Sequence, residues 1–195
     1  IIHAPQPWTS FREDDHYFEG NLAAWCAMEK AYNAGRLRAI GVSNFQQVDI
    51  ENLLQNGDVR PMVNQILAHV SNTPFPLIDY CREHDILVEA YSPMGHGEMM
   101  KNRLAQDMAN RYGVSVAQLC IRYCLQLNML PLPKTANPKH MESNAEVNFE
   151  ISAQDMEILK NVERIKNYGE ASLFPVYGGK MDEEGNCTPR DFFKE

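Results

Sequence analysis

Short apolar runs alternate with longer amphipathic ones along most of this 195-residue chain, and that alternation limits the fold more than any other feature. The apolar runs are 37–42 (LRAIGV), 62–67 (MVNQIL), 86–91 (ILVEAY) and 130–132 (LPL), and Ile1-Ile2 opens the chain like the end of another strand. They are short and apolar on both faces, the pattern of strands in a parallel sheet covered by helices. The amphipathic runs supply the helices. In 21–34, Leu22, Trp25, Met28 and Tyr32 recur at helical spacing, with Asn21 able to cap the start and Gly35 the end. Further helices are expected at 49–56, stopped by Gly57, at 76–84, and at 102–112. Another is expected at 116–127, behind a Ser115/Gln118 capping box. Two more follow at 139–145, opened by Asn137-Pro138, and at 152–161. From about 166 onward Gly, Pro and charge dominate, which predicts an irregular tail closing a single domain over 1–195.

Two architectures fit an alternating parallel α/β chain: a doubly wound sheet and a (β/α)8 TIM barrel. No G-x-G-x-x-G follows any strand, so the dinucleotide fingerprint of the first is missing. The second gathers its chemistry at the C-terminal ends of its strands, and the polar residues of this chain fall there. His3 ends the first strand, Ser43-Asn44 the second and Tyr91-Ser92-Pro93 the fourth, Gln65 lies in the third, and Lys134-Thr135 follow the fifth. Each alone is ordinary. A His after a strand or a Ser-Asn turn pair is common, a Tyr can be core filler, and a Lys can be a solvated loop charge. Their joint placement in register with five successive strands carries the argument. The helix opened by Asn137-Pro138 adds a pointer: exposed N–H groups at a helix start favour phosphate, and Lys134, Lys139 and His140 surround that start.

Composition excludes several classes. The net charge of −8 argues against a nucleic-acid surface, and no apolar run is long enough for a membrane span. The five cysteines are odd in number and irregularly spaced, which points to a reducing, cytoplasmic setting rather than a disulfide framework. Cys120 and Cys124 share a helix face and read as packed thiols, with no further metal ligands near them in sequence.

The segments IIHAPQPW, AGRLRAIGVSNF, VNQ, AYSPMG and LPLPKTANPKHMESN, in that order and spacing, resemble the aldo-keto reductases over nearly the whole chain. The chain is similar to the bacterial branch that reduces small carbonyls and keto-sugars. The resemblance implies a TIM barrel represented by about its last five strand–helix units. It implies NADPH as cofactor, with NADH possible, and a small-molecule carbonyl as substrate. It also assigns roles. His3 would orient the substrate carbonyl. Ser43, Asn44 and Gln65 would hold the nicotinamide carboxamide. Tyr91 would stack on the nicotinamide ring. Ser92, Pro93, Met94, Gly95 and His96 would lie along the pyrophosphate. Lys134, Thr135 and His140 would meet the adenosine 2′-phosphate, Asn144 the adenine, and Trp8 would line the substrate pocket, with Phe174 and Tyr177 adding to an apolar rim.

Three positions depart from the family pattern. The family commonly has Arg where this chain has His140, Glu where it has Ser143, and an acidic residue where it has Leu67. Arg is a permanent bidentate phosphate ligand, whereas His is charged only toward acid pH. NADPH preference is therefore expected to rest on Lys134 and to weaken between pH 6 and 8.

A complete barrel of this kind has eight strands and ~250 residues. The resemblance places the family's acid–base Tyr, its Lys and its supporting Asp in three units ahead of the strand carrying His3. The chain therefore reads as the later part of a reductase that is a monomer when complete. Five strands cannot close a barrel, so the chain alone is expected to aggregate or unfold in part, and to lack reductase activity. A catalytically silent, cofactor-binding regulatory protein of the same fold is the alternative. An unrelated phosphate-binding barrel is disfavoured because it has no use for the Tyr91 and Gln65 pair.

Overall fold

The computed structural model describes residues 1–188; the last part of the expected tail, 189–195, lies outside the described residues. The described residues form two compact units, one built from Ile1–Ile66, Phe75–Val88 and 172–188, the other from Leu67–Pro74 and Glu89–Ala171.

The first unit opens with the 3-10 turn Trp8–Ser10, helix α1 (Phe18–Asn33) and strand β1 (Val42–Ser43). Helix α2 (Gln47–Asn56), strand β2 (Val63–Leu67), helix α3 (Phe75–Glu83) and the start of strand β3 (Leu87–Tyr91) follow. β1 and β2 are parallel with Val42 opposite Asn64 and Ser43 opposite Gln65. Leu87 N–H then donates to the Met62 carbonyl at 2.9 Å, which starts β3 beside β2. The strand expected at the chain start is reduced to one bridge, Ile2 to Val42, again parallel.

Two expectations need correction. The strand over 37–42 is only its last residue and the next. Arg36 and Leu37 N–H both turn back to the Ala31 carbonyl, so the start of the segment closes off α1, while the Ile40 and Gly41 carbonyls already accept from Met62 and Ile2 N–H ahead of β1. Helix α1 begins three residues before Asn21, which is buried inside it and donates to the carbonyls of Pro5 (2.8 Å) and His16 (3.0 Å). The buried stripe of α1 is Asn21–Trp25–Glu29, whereas Leu22, Met28 and Tyr32 are half-buried. Its polar members are tolerated because they are bonded. Glu29 Oε1 accepts from the N–H groups of Asp58 and Val59, each at 2.8 Å, and Trp25 Nε1 donates to the Val59 carbonyl at 2.9 Å.

In the second unit the end of β3 pairs in parallel with β4 (Leu130–Leu132), Tyr91 opposite Leu132. The named strands of the sheet thus follow sequence order, β1-β2-β3-β4. Helices α4 (Arg103–Tyr112), α5 (Val116–Gln126), α6 (Pro138–Ala145) and α7 (Ala153–Lys160) complete this unit. The expected signals work as written. Ser115 and Gln118 form the capping box of α5, Asn137 caps α6 with Pro138 in its first turn, and Ser152 caps α7. Asn102 caps α4 and Gly113, at φ 67°, ends it. Asp155 of α7 accepts from Arg111 Nη2 (2.8 Å) and Tyr112 Oη (2.7 Å), which ties α7 to the end of α4. Cys120 and Cys124 are fully buried free thiols, and burial pushes the Cys120 thiol up to about 12 and Cys124 up as well.

The tail is more regular than composition suggested. After the 3-10 turns Gly169–Leu173 and Pro175–Tyr177 it forms an antiparallel hairpin, β5 (Lys180–Met181) with β6 (Cys187–Thr188). β5 lies against the Trp8–Ser10 turn. No helix among the described residues is long and apolar enough to cross a membrane.

Candidate functional site

In the first unit, four of the residues singled out from sequence are linked by hydrogen bonds at the strand ends. Asn44 N–H donates to the Gln65 carbonyl at 2.9 Å, and Ser43 Oγ donates to the same oxygen at 2.9 Å. Asn44 Nδ2 donates to the His3 carbonyl at 3.1 Å and to Ser43 Oγ at 3.2 Å. Ser43 and Asn44 are buried and Gln65 is half-buried. Asn44 has φ 62°, a left-handed backbone that a non-glycine residue keeps only where neighbours over-determine it. His3 is exposed, with its ring 5.5 Å edge-on from the half-buried Trp8 indole. Trp8 in turn packs 5.0 Å from Phe11, so an aromatic wall runs from His3 along the turn that β5 backs. Phe174 is 52% exposed and Tyr177 half-buried in the tail of the same unit.

Sequence reasoning missed Gln6 and Arg12 of this unit. Gln6 is buried, accepts from Arg12 N–H at 2.8 Å, and donates to the carbonyls of Glu13 (2.6 Å) and Asp15 (2.7 Å). Arg12 Nη1 donates to the Asn44 carbonyl at 2.9 Å. A Gln between two prolines in a loop gives no periodic signal, and its role is visible only in the folded backbone.

The glycine of GVSNF has a steric cause. A Cβ on Gly41 would collide with the Val63 side chain and stand 2.7 Å from the Val63 carbonyl, so β1 and β2 can approach only through glycine. Asn64, beside Gln65 on the opposite face of β2, is wholly buried and donates to the Phe45 carbonyl at 3.0 Å, which anchors the turn after Asn44.

In the second unit, Tyr91 ends β3 half-buried, and the chain then enters a run of left-handed residues: Ser92 (φ 52°), Gly95 (φ 55°), His96 (φ 52°) and Gly97 (φ 87°). Gly95 N–H returns to the Ser92 carbonyl at 2.8 Å and Gly97 N–H to Met94 at 3.0 Å. Pro93 and Gly95 are buried, Met94 is half-buried and His96 exposed. Burial, and then the positive charge of Lys134, hold the His96 imidazole below its ordinary range.

Lys134 is exposed and forms no ion pair among the described residues. Thr135 Oγ1 accepts from Asn137 N–H at 3.1 Å. The expectation of free N–H groups at the start of α6 is not met. Asn137 Oδ1 takes the Lys139 N–H, the Asn137 carbonyl takes those of His140 and Met141, and Pro138 has none. An anion here would be held by side chains. Lys134, Lys139 and His140 are exposed, and His140 and Asn144, four apart on α6, share a face. Two permanent cations, a His and an oriented hydroxyl make a donor set that fits a phosphomonoester.

A further residue missed by sequence is His69, wholly buried just beyond β2. Its Nε2 is 3.0 Å from Tyr168 Oη and its Nδ1 3.3 Å from Ser71 Oγ. Burial first, then the charges of Arg164 and His96, lower its pKa to about 4, so it is neutral at ordinary pH. A Cβ on Gly95 would stand 3.4 Å from the His69 ring, so His69 underlies the Ser92–Gly97 turn. The unusual Leu67 lies half-buried two residues earlier, its carbonyl accepting from Asn72 Nδ2 at 3.1 Å.

Residues 1–164 match the model of the aldo/keto reductase family. The chain belongs to this family. It is 42% identical over 144 residues to an uncharacterized oxidoreductase of Schizosaccharomyces pombe, covering 73% of this chain and 52% of that protein. To a glyoxal reductase of Bacillus subtilis it is 37% identical over 146 residues, covering 74% and 53%. Among solved structures, a Bombyx mori aldo-keto reductase in complex with NADP superposes with a TM-score of 0.72 at 28% identity, covering 88% of this chain and 59% of that one. The aldo-keto reductase chain thus spans about half the length of the curated relatives it matches. Its fold is the parallel α/β architecture of the aldo-keto reductase barrels, as the strand order and the superposition agree.

Proposed function

We propose that the protein carrying this sequence reduces an aldehyde or ketone to an alcohol with NADPH, NADH serving as the weaker alternative. The match of residues 1–164 to the aldo/keto reductase family carries the reading. The NADP complex of the Bombyx mori structure and the glyoxal reductase relative support it. NADPH, when bound, supplies a hydride to the carbonyl carbon.

The residues in hand divide the remaining work. The exposed His3 ring hydrogen-bonds the carbonyl oxygen and turns the carbonyl carbon toward the cofactor. Trp8 forms a wall of the carbonyl pocket. Ser43, Asn44 and Gln65 grip a carboxamide, for which hydroxyl and amide groups offer both donors and acceptors. Tyr91 offers a ring face for stacking. The turn from Ser92 through Pro93, Met94, Gly95 and His96 follows the pyrophosphate, Lys134, Thr135 and His140 take the 2′-phosphate, and Asn144 meets the adenine. The carbonyl oxygen gains negative charge and needs a proton. None of the residues assigned above supplies that proton, so the proton donor of the proposed reaction is a further group of the full protein. With five free cysteines, we assign the protein to the cytoplasm as a monomer acting on small-molecule carbonyls.

The test is NADPH and NADH binding and turnover by the full protein, with Lys134→Ala beside it. Removing a charged contact to the 2′-phosphate is expected to weaken NADPH by about 10–100-fold and leave NADH nearly unchanged. Equal losses for both cofactors on Lys134→Ala would overturn the phosphate assignment. Tight NADPH binding without turnover of any small aldehyde or ketone would favour the silent regulatory alternative.

A further inference from the structure

The loop ahead of α1 carries a side chain that no part of the reaction scheme uses, Arg12, and its guanidinium donates to the Asn44 carbonyl. We propose that Arg12 is a positioning residue: held by Gln6, it fixes the backbone of Asn44, and so sets the nicotinamide end of the cofactor grip. This inference rests on the assignment of Ser43 and Asn44 to the carboxamide made above.

The geometry begins with Gln6. Its amide is buried and fully engaged, accepting from Arg12 N–H and donating to the carbonyls of Glu13 and Asp15 at 2.6–2.8 Å. Those three bonds hold Arg12 at φ 70°, a left-handed conformation that costs a non-glycine residue about 1–2 kcal/mol. The strained backbone brings the guanidinium to the turn after β1. Nη1 donates to the Asn44 carbonyl at 2.9 Å. With the Gln46 amide oxygen turned toward it, that oxygen accepts from Nη1 at 2.7 Å and Nη2 at 2.9 Å. The Phe11 ring lies under the guanidinium carbon at 4.5 Å, which fixes its plane.

Asn44 is the residue this arrangement serves. It too is left-handed, and its N–H is tied to the Gln65 carbonyl at 2.9 Å while its carbonyl is tied to Arg12. Its side chain can then reach the His3 carbonyl and Ser43 Oγ. Without the guanidinium the buried Asn44 carbonyl loses a charged donor, and the turn can relax toward ordinary φ, carrying the Asn44 amide with it. A planar fork suits this task because it bonds a main-chain oxygen and the Gln46 side chain at once, whereas a lysine reaches one of them.

The experiment compares two ligands on the full protein. NADPH spans the whole proposed site, while adenosine 2′,5′-bisphosphate lacks the nicotinamide end. Arg12→Met keeps the stem over Phe11 and removes the donors. It is expected to weaken NADPH about tenfold, the loss of one charge-assisted bond, and to leave the bisphosphate unchanged. Arg12→Lys, with one donor restored, is expected to fall between Arg12→Met and the native protein. Gln6→Ala is expected to reproduce the Arg12→Met loss and to add little to it in the double variant. Unchanged NADPH affinity in Arg12→Met, or equal loss for both ligands, overturns the proposal and leaves Arg12 a loop anchor. A native protein that binds neither ligand overturns instead the cofactor assignment beneath it.

Discussion

Gly41 and His69 illustrate how single residues here answer to their surroundings. At Gly41 a methyl group would run into Val63, side chain and carbonyl alike. Gly41→Ala is expected to cost about 1–3 kcal/mol in urea denaturation of the full protein, as overpacking does elsewhere; an unchanged midpoint would mean the strands separate freely at this point. At His69 the folded protein holds the pKa near 4 against an ordinary 6.5. Between those values the unfolded chain binds a proton that the folded chain refuses, so stability falls as pH drops through that window. The total loss below both values is about 3 kcal/mol. His69→Gln is expected to flatten this acid limb when denaturation midpoints are followed from pH 7 to 4. A limb of unchanged steepness would place the acid sensitivity in other groups. Neither residue stood out as a site in the sequence for the same reason: what constrains it is a neighbour from another strand, turn or tail segment.

At the scale of elements, local chemistry was legible wherever it is local. The Ser115/Gln118 box and the Asn137-Pro138 opening depend on residues within a turn of one another, and each is found where the sequence put it. The failures were of a different kind. Residues 37–41 have strand composition, but Leu37 is turned back to the Ala31 carbonyl while the Ile40 and Gly41 carbonyls accept from Met62 and Ile2 N–H, so strand begins only at the end of that run; α1 begins earlier than Asn21, whose amide is bonded to the Pro5 carbonyl from inside it. The join between α4 and α7 makes a clean test. Tyr112 Oη donates to Asp155 Oδ2 at 2.7 Å and accepts from Ser152 N–H at 2.9 Å, and Tyr112 first, with Arg111, holds the Asp155 carboxyl below its usual range. Tyr112→Phe is expected to cost about 1–2 kcal/mol above pH 5 and less in acid, where the carboxylate is lost anyway. A pH-independent difference between the two proteins would show that the hydroxyl matters for packing alone.

At the scale of the whole molecule, the proposed cofactor site would tie strand ends to a dinucleotide, and binding there would stabilise the fold. With NADPH at a hundred times its Kd, the full protein is expected to gain about 2.7 kcal/mol, read as a rise in melting temperature. NADH at the same concentration is expected to give a smaller rise, and Lys134→Ala to remove the difference. Equal rises with both cofactors would show that the 2′-phosphate meets no charge.

The sequence by itself determined the alternation of strands and helices, the caps, the parallel sheet, and the list of polar residues at strand ends, because periodicity, capping and turn chemistry act over a few residues. Only the tertiary structure decided how those polar groups are employed. It spends the N–H groups of α6 on Asn137 and the Ser43 hydroxyl on the Gln65 carbonyl, buries His69 against Tyr168, and brings Arg12 to Asn44 across thirty-two residues of chain. A hydrogen bond is satisfied by whichever partner the fold brings near, and nothing in a linear sequence states which partner that will be.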